Sequence, residues 1–148
     1  MFKIKNNFLI ILAILQGSLM GATIKHIDVK GIQVPIIFEE QKSLPILNLQ
    51  LVFQNSGYIQ DKDKSGLVSL SSKLLNEGTK ELGATAFAQE LEENAISLST
   101  SNGFETFVIE LSSLKEQSNK GITLLTNLIK SPNFTQDTLD KLKTLQTG

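Results

Sequence analysis

The sequence predicts an α+β fold, a mostly antiparallel sheet with helices on one face. Three observations lead there. Segments of alternating apolar and polar residues come in pairs, the last pair around Asn102-Gly103. Leucine-rich segments between and after them repeat at helical spacing. The order is strands, two helices, a hairpin, two helices, which suits hairpin-joined strands with grouped helices better than a regular βαβ alternation.

The chain opens with "MFKIKNN", where Lys3 and Lys5 precede an apolar run from Phe8 to Leu15 and a stretch ending in Gly21-Ala22. That order of charged, apolar and small residues predicts a secretory signal over residues 1–22, and so export to the periplasm or beyond the cell. The alternative is an uncleaved membrane anchor ending near Ala22. The remainder, 23–148, reads as a single partial domain. "IKHIDVKGIQVPIIFEE" alternates through Ile24, Ile27 and Val29, then Ile32, Val34, Ile36 and Phe38, which predicts two strands joined near Gly31 or one bent strand. "LPILNLQLVFQNSG" places Leu47, Leu49, Leu51 and Phe53 on one face of a further strand.

"DKDKSG" is a turn. A helix follows, with Leu67, Leu70, Leu74 and Leu75 as its apolar stripe, Ser65 as its N-cap and Gly78 as its stop. A second helix is expected from near Thr85, burying Phe87, Leu91 and Ala95. "ISLSTSNGFETFVIELSS" predicts a hairpin with a tight Asn102-Gly103 turn, because both residue types tolerate positive φ. A third helix presents Ile122, Leu125 and Ile129 and is broken by Pro132. A fourth presents Leu139, Leu142 and Leu145, and the abrupt end suggests a fragment.

The chain has 148 residues, a formal net charge of -1, one histidine and no cysteine. A near-neutral balance gives no basic footprint for nucleic acid. The lack of cysteine removes thiol catalysis, thiolate zinc sites and disulfides.

From about Ile24 onward the order of motifs resembles the N-terminal domain of the insulinase, pitrilysin and mitochondrial-processing-peptidase superfamily. The resemblance rests on a strand pair before "LVFQNSGYIQDKDKSGL", on "LLNEGTK" as a helix exit, on "LEENAISLSTSNGFETFVIEL" as a helix and hairpin, and on "LLTNLIKSPNFTQDTLDKLK" as two helices around a Pro and a Phe. Active members carry H-x-x-E-H on the helix after Gly-Leu, two histidines holding zinc and the glutamate activating water. The resemblance sets Ser69 at the first histidine, Ser72 at the glutamate and Lys73 at the second histidine. The family's third ligand, a glutamate, falls at or just beyond Gly148. Serine hydroxyls are poor zinc ligands, and a protonated lysine offers no lone pair. No metal, cofactor or catalytic residue is therefore expected. Positions 69, 72 and 73 still share one helix face.

Other constellations are weaker. Asp61, Asp63, Ser65 and Gly66 imitate the start of a calcium loop, but Ser72 stands where its last glutamate should be. Ser69 and Lys73 lie one turn apart, as in a serine-lysine dyad, without a visible oxyanion hole. His26 stands alone in a strand, and Glu39-Glu40 and Glu92-Glu93 read as solvated pairs. Asn133 opens a glycosylation triplet, "NFT".

The resemblance implies a non-catalytic insulinase-family protein, the inactive partner of an active zinc-peptidase subunit in a heterodimer. Such a subunit completes the chamber and contacts peptide substrate. The alternatives are a zinc peptidase with an unrecognised site and a truncated remnant without activity.

Overall fold

The computed structural model describes residues 21–147, so nearly all of the expected export signal lies outside the described residues. The chain divides into two compact units at Leu44 and Pro45. No helix among the described residues is long and apolar enough to cross a membrane.

The first unit holds strands β1 (Thr23–Val29) and β2 (Ile32–Phe38), paired antiparallel with Ile27 opposite Val34 and Val29 opposite Ile32. Of the two readings left open by the sequence, two strands joined at Gly31 is the right one. Lys30 and Gly31 both have positive φ, as a two-residue hairpin turn matched to strand twist requires. The Asp28 carboxylate fixes this turn, accepting from the Gly31 N–H at 3.0 Å and from Gln33 Nε2 at 2.9 Å.

The second unit contains β3 (Ile46–Gln54), α1 (Leu67–Leu75), α2 (Gly83–Glu93), β4 (Ile96–Asn102), β5 (Thr106–Leu114), α3 (Ser118–Lys130) and α4 (Gln136–Thr147). Its sheet is antiparallel throughout, in the order β3-β5-β4. Register sets Leu49 and Leu98 on either side of Leu111, and Leu51 and Thr100 on either side of Ile109. These inward positions meet Phe87 of α2 and Leu124, Leu125 and Leu128 of α3 in one apolar core. The other sheet face carries Gln50, Glu110, Ser97 and Ser99, and Gln50 Nε2 donates to the Glu110 carboxylate at 2.7 Å. The expected α+β arrangement, with helices on one face, is the one observed.

Several local expectations need correction. Ser65 does not cap α1. The cap is Asp61, whose two carboxylate oxygens accept from the N–H groups of Gly66 (2.9 Å) and Val68 (2.8 Å), while Gly66 is the residue before the helix. The fully buried residues of α1 are Val68 and Ser72; of the expected leucine stripe Leu75 packs against the core, Leu70 and Leu74 are half-buried and Leu67 is exposed. Helix α2 starts at Gly83, and Ala95 lies beyond its end, exposed and at φ +50°, where the chain turns into β4. Helix α3 buries Gly121, Leu124, Leu125 and Leu128, with Ile122 and Ile129 outward. In α4 the buried residues are Thr138 and Leu142, while Leu145 is exposed.

The β4–β5 connection also differs from the tight turn expected. Asn102 pairs with Phe107, so four residues lie between the last paired positions, and the Gly103 N–H donates to Thr106 O at 2.9 Å. The reason lies in the segment after β3. The N–H groups of Ser56, Tyr58 and Ile59 donate to the carbonyls of Glu105, Gly103 and Phe104 at 2.9 to 3.1 Å, holding the hairpin tip open. The backbones approach so closely that a Cβ at Gly57 would stand 2.3 Å from Gly103 O.

Candidate functional site: a helix clasped to the sheet

The residues that the resemblance aligns with the zinc motif all lie on α1, and the helix does not treat them alike. Val68 and Ser72, four residues apart, turn toward the sheet. Ser69 is half-buried and Lys73 is exposed. The Ser72 side chain is buried and its Oγ lies 3.1 Å from Thr100 Oγ1. Thr100 Oγ1 donates to the Ser72 carbonyl at 2.8 Å and lies 3.1 Å from Asn76 Oδ1. One turn after Ser72, the Asn76 amide reaches the backbone of Thr100: Thr100 N–H donates to Oδ1 at 2.9 Å, and Nδ2 donates to Thr100 O at 3.3 Å. Ser72, Asn76 and Thr100 thus form a closed polar clasp between α1 and β4. Ser72 and Thr100 are buried, so the bonds between them count for more than they would in water, while Asn76 closes the clasp from its exposed side.

The exit from α1 is fastened as well. Gly78 O accepts from the Asn133 N–H at 2.9 Å, Glu77 O accepts from Asn133 Nδ2 at 3.3 Å, and Ser131 O accepts from the Lys80 N–H at 2.9 Å. Lys141 of α4 reaches the Glu77 carboxylate at 3.1 Å.

The sequence-derived candidates can now be placed. Ser69, Ser72 and Lys73 share a helix, but only Ser72 faces the core. No hydrogen bond among the described residues joins Ser69 to Lys73, so the geometry assembles no dyad. Asp61 spends both carboxylate oxygens on the start of α1, Asp63 and Ser65 are exposed, and Ser72 points into the sheet. The apparent calcium loop is a helix entry. His26 sits on β1 opposite Pro35, in the other unit, and is exposed. Glu39, Glu40, Glu92 and Glu93 are exposed, and Glu93 accepts from Gln89 Nε2. Asn133 is half-buried, with its amide nitrogen engaged by Glu77 O, a geometry that opposes glycosylation at the triplet. Among the described residues, no three His, Cys, Asp or Glu side chains gather closely enough to hold a metal ion.

Asn76 and Thr100 were missed by sequence reasoning. The available signal was Thr100 itself, a polar residue at an inward position of the Ile96, Leu98, Thr100 alternation. A buried hydroxyl needs a partner, and Ser72 and Asn76 supply it.

Against this geometry the comparisons with known proteins fall into place. The profile of the insulinase family (peptidase family M16) matches residues 36–147. The chain belongs to the insulinase family. It is 44% identical over 137 residues to the non-peptidase homolog YmxG of Helicobacter pylori (strain ATCC 700392 / 26695), covering 90% of this chain and 32% of that protein. Its fold is similar to the crystal structure of a peptidase M16 inactive domain from Pseudomonas fluorescens, with a TM-score of 0.72 and 25% identity over 83% of this chain and 30% of the other. A protease from Helicobacter pylori shares the fold at a TM-score of 0.65 and 18% identity, over 79% of this chain and 28% of the other. The chain therefore spans about a third of the length of the relatives it matches.

Two substitutions test the local geometry. Thr100→Val keeps the shape and removes the hydroxyl, leaving Ser72 Oγ without this partner and the Ser72 carbonyl with only the Asn76 N–H at 3.2 Å. Stability should fall by about 1–3 kcal/mol, read as a lower urea midpoint. Lys73 makes no ion pair among the described residues and is exposed. Lys73→Met should leave the midpoint within about 0.5 kcal/mol of the parent.

Proposed function

We propose that this chain is a non-catalytic insulinase-family subunit that is exported and pairs with an active zinc-peptidase subunit of the same family. In such a pair it completes the chamber and contacts peptide from a surface other than a zinc site. The observation that carries this reading is the state of Ser72. It stands where the resemblance sets the water-activating glutamate, yet its side chain is buried and bonded to Thr100. A general base must reach a water beside the metal, and a hydroxyl held inside a helix–sheet contact does not. Lys73, at the second imidazole position, is a solvated cation that repels a metal ion. Further support comes from the names of the relatives: one is called a non-peptidase homolog, and another an inactive domain.

The test is recovery of the tagged chain from the periplasmic or extracellular fraction of its own cells, followed by N-terminal sequencing, zinc analysis after dialysis and identification of co-purifying chains. The expected result is a start near Thr23, no stoichiometric zinc, and a second insulinase-family chain that carries H-x-x-E-H. Stoichiometric zinc with peptide hydrolysis by the isolated chain would overturn the reading. Recovery of the chain without any insulinase-family companion would remove the partner role.

A further inference from the structure

Among the described residues, β4 is an outer strand of its sheet. An outer strand presents backbone N–H and C=O groups that can template another strand, and proteins commonly guard such edges with charge, proline or a bulge. From Ile96 to Asn102, β4 carries no charged residue and no proline, and its pairing with β5 runs without a bulge. Ser97, Ser99 and Ser101 on its outer face are exposed. None of the usual guards is present on the strand itself.

The guard comes from the helix. A primary amide carries a donor and an acceptor in the same relation as a peptide group. Asn76 uses both on one residue, taking the Thr100 N–H at 2.9 Å and giving Nδ2 to the Thr100 carbonyl at 3.3 Å. This is the pair of bonds that an antiparallel neighbour would make. The amide is oriented by these two bonds to the Thr100 backbone, and its own backbone is anchored because Ser72 holds the preceding turn to β4. A strand adding to β4 would have to break this pairing near the middle of the strand.

We propose that Asn76 is a side-chain plug that closes the β4 edge to extended polypeptide. The occupant it excludes is a second copy of the chain, whose own β4 offers the same uncharged edge. This goes beyond the partner role proposed above and does not depend on it.

The chain has no cysteine, so one introduced thiol reports on one place. In a Ser99→Cys background, Asn76→Ala is compared with Asn76 intact by non-reducing electrophoresis after mild oxidation, and by hydrogen exchange at Thr100. The plug predicts that Asn76→Ala raises disulfide-linked dimer several-fold, in a concentration-dependent way. It also predicts exchange at the Thr100 amide roughly tenfold faster in the dilute protein, while core amides such as Leu111 keep their rates. Faster exchange without more dimer reduces Asn76 to a brace and overturns the proposal, as does an unchanged Thr100 rate. Should Asn76→Ala fail to fold, Asn76→Ser takes its place under the same two readouts, with the same outcomes supporting or overturning the plug.

Discussion

Gly78→Ala is expected to lose about 4 kcal/mol of stability, the sum of left-handed backbone strain and overpacking in a rigid surround. Gly78 lies at φ +82°, and a Cβ there would stand 2.6 Å from Gly83 O and 2.7 Å from Phe87 Cβ. The backbone has little room to give way. Gly78 O is bonded to the Asn133 N–H, Gly83 N–H donates to Thr79 O at 2.7 Å, and Phe87 is part of the core. The measurement is the urea midpoint. Gly103→Ala serves as the control, since its Cβ would meet only Thr106 Oγ1 at 3.5 Å, an ordinary contact. If Gly78→Ala unfolds at the same midpoint as Gly103→Ala, the helix exit is not held as described.

Ser72→Glu, which would install the family's base at its aligned position, should destabilise the chain and confer no hydrolysis. Ser72 is only 5% exposed and packs against Thr100. Three extra heavy-atom bonds of side chain do not fit, and a carboxylate forced inside is desolvated, so a loss of about 3 kcal/mol or more is expected near neutral pH. The pH dependence has a definite sign. Burial raises the carboxyl's folded pKa above its unfolded value of about 4.3, so the folded state binds more protons over that interval and stability falls as pH rises through it. The deficit relative to the parent should therefore shrink as pH is lowered toward about 4.3. A deficit independent of pH would mean that the new side chain swings out to solvent.

The architecture was legible because periodicity reports burial. Leu47, Leu49 and Leu51 alternate as a strand with one covered face must, and that is the face that meets the helices. What the pattern could not settle was rotation. On α1, four leucines outweigh one valine and one serine, yet the fully buried residues are Val68 and Ser72, and of the leucines only Leu75 packs against the core. The helix is oriented by polar bonds from Ser72 and Asn76 to Thr100, and that partner lies in a strand far along the sequence. Helix α3 shows the same limit: Ile122 and Ile129 read as core beside Leu125, but the buried face is centred on Leu124, Leu125 and Leu128. The Asn102-Gly103 turn was misread because its shape is set by residues 56–59, which no local signal at the hairpin reveals. At the site, Ser69, Ser72 and Lys73 were locatable by resemblance. That Ser72 is a structural residue required the fold.

The contact between residues 56–59 and the tip of the β4–β5 hairpin bears on how the chain reaches its folded state. It joins segments about half the second unit apart, and it uses main-chain groups, so it offers nothing until both ends are already shaped. Closing so long a loop costs entropy before any bond repays it. The entry to α1 through Asp61 follows directly after this contact, so the helix cannot take its final seat until the hairpin tip exists. Folding should therefore proceed from the β4–β5 hairpin with α3, with α1 arriving late. In a mutational analysis of refolding rates, changes at Ile109 or Leu111 should slow folding, and changes at Asp61 or Asn76 should chiefly speed unfolding.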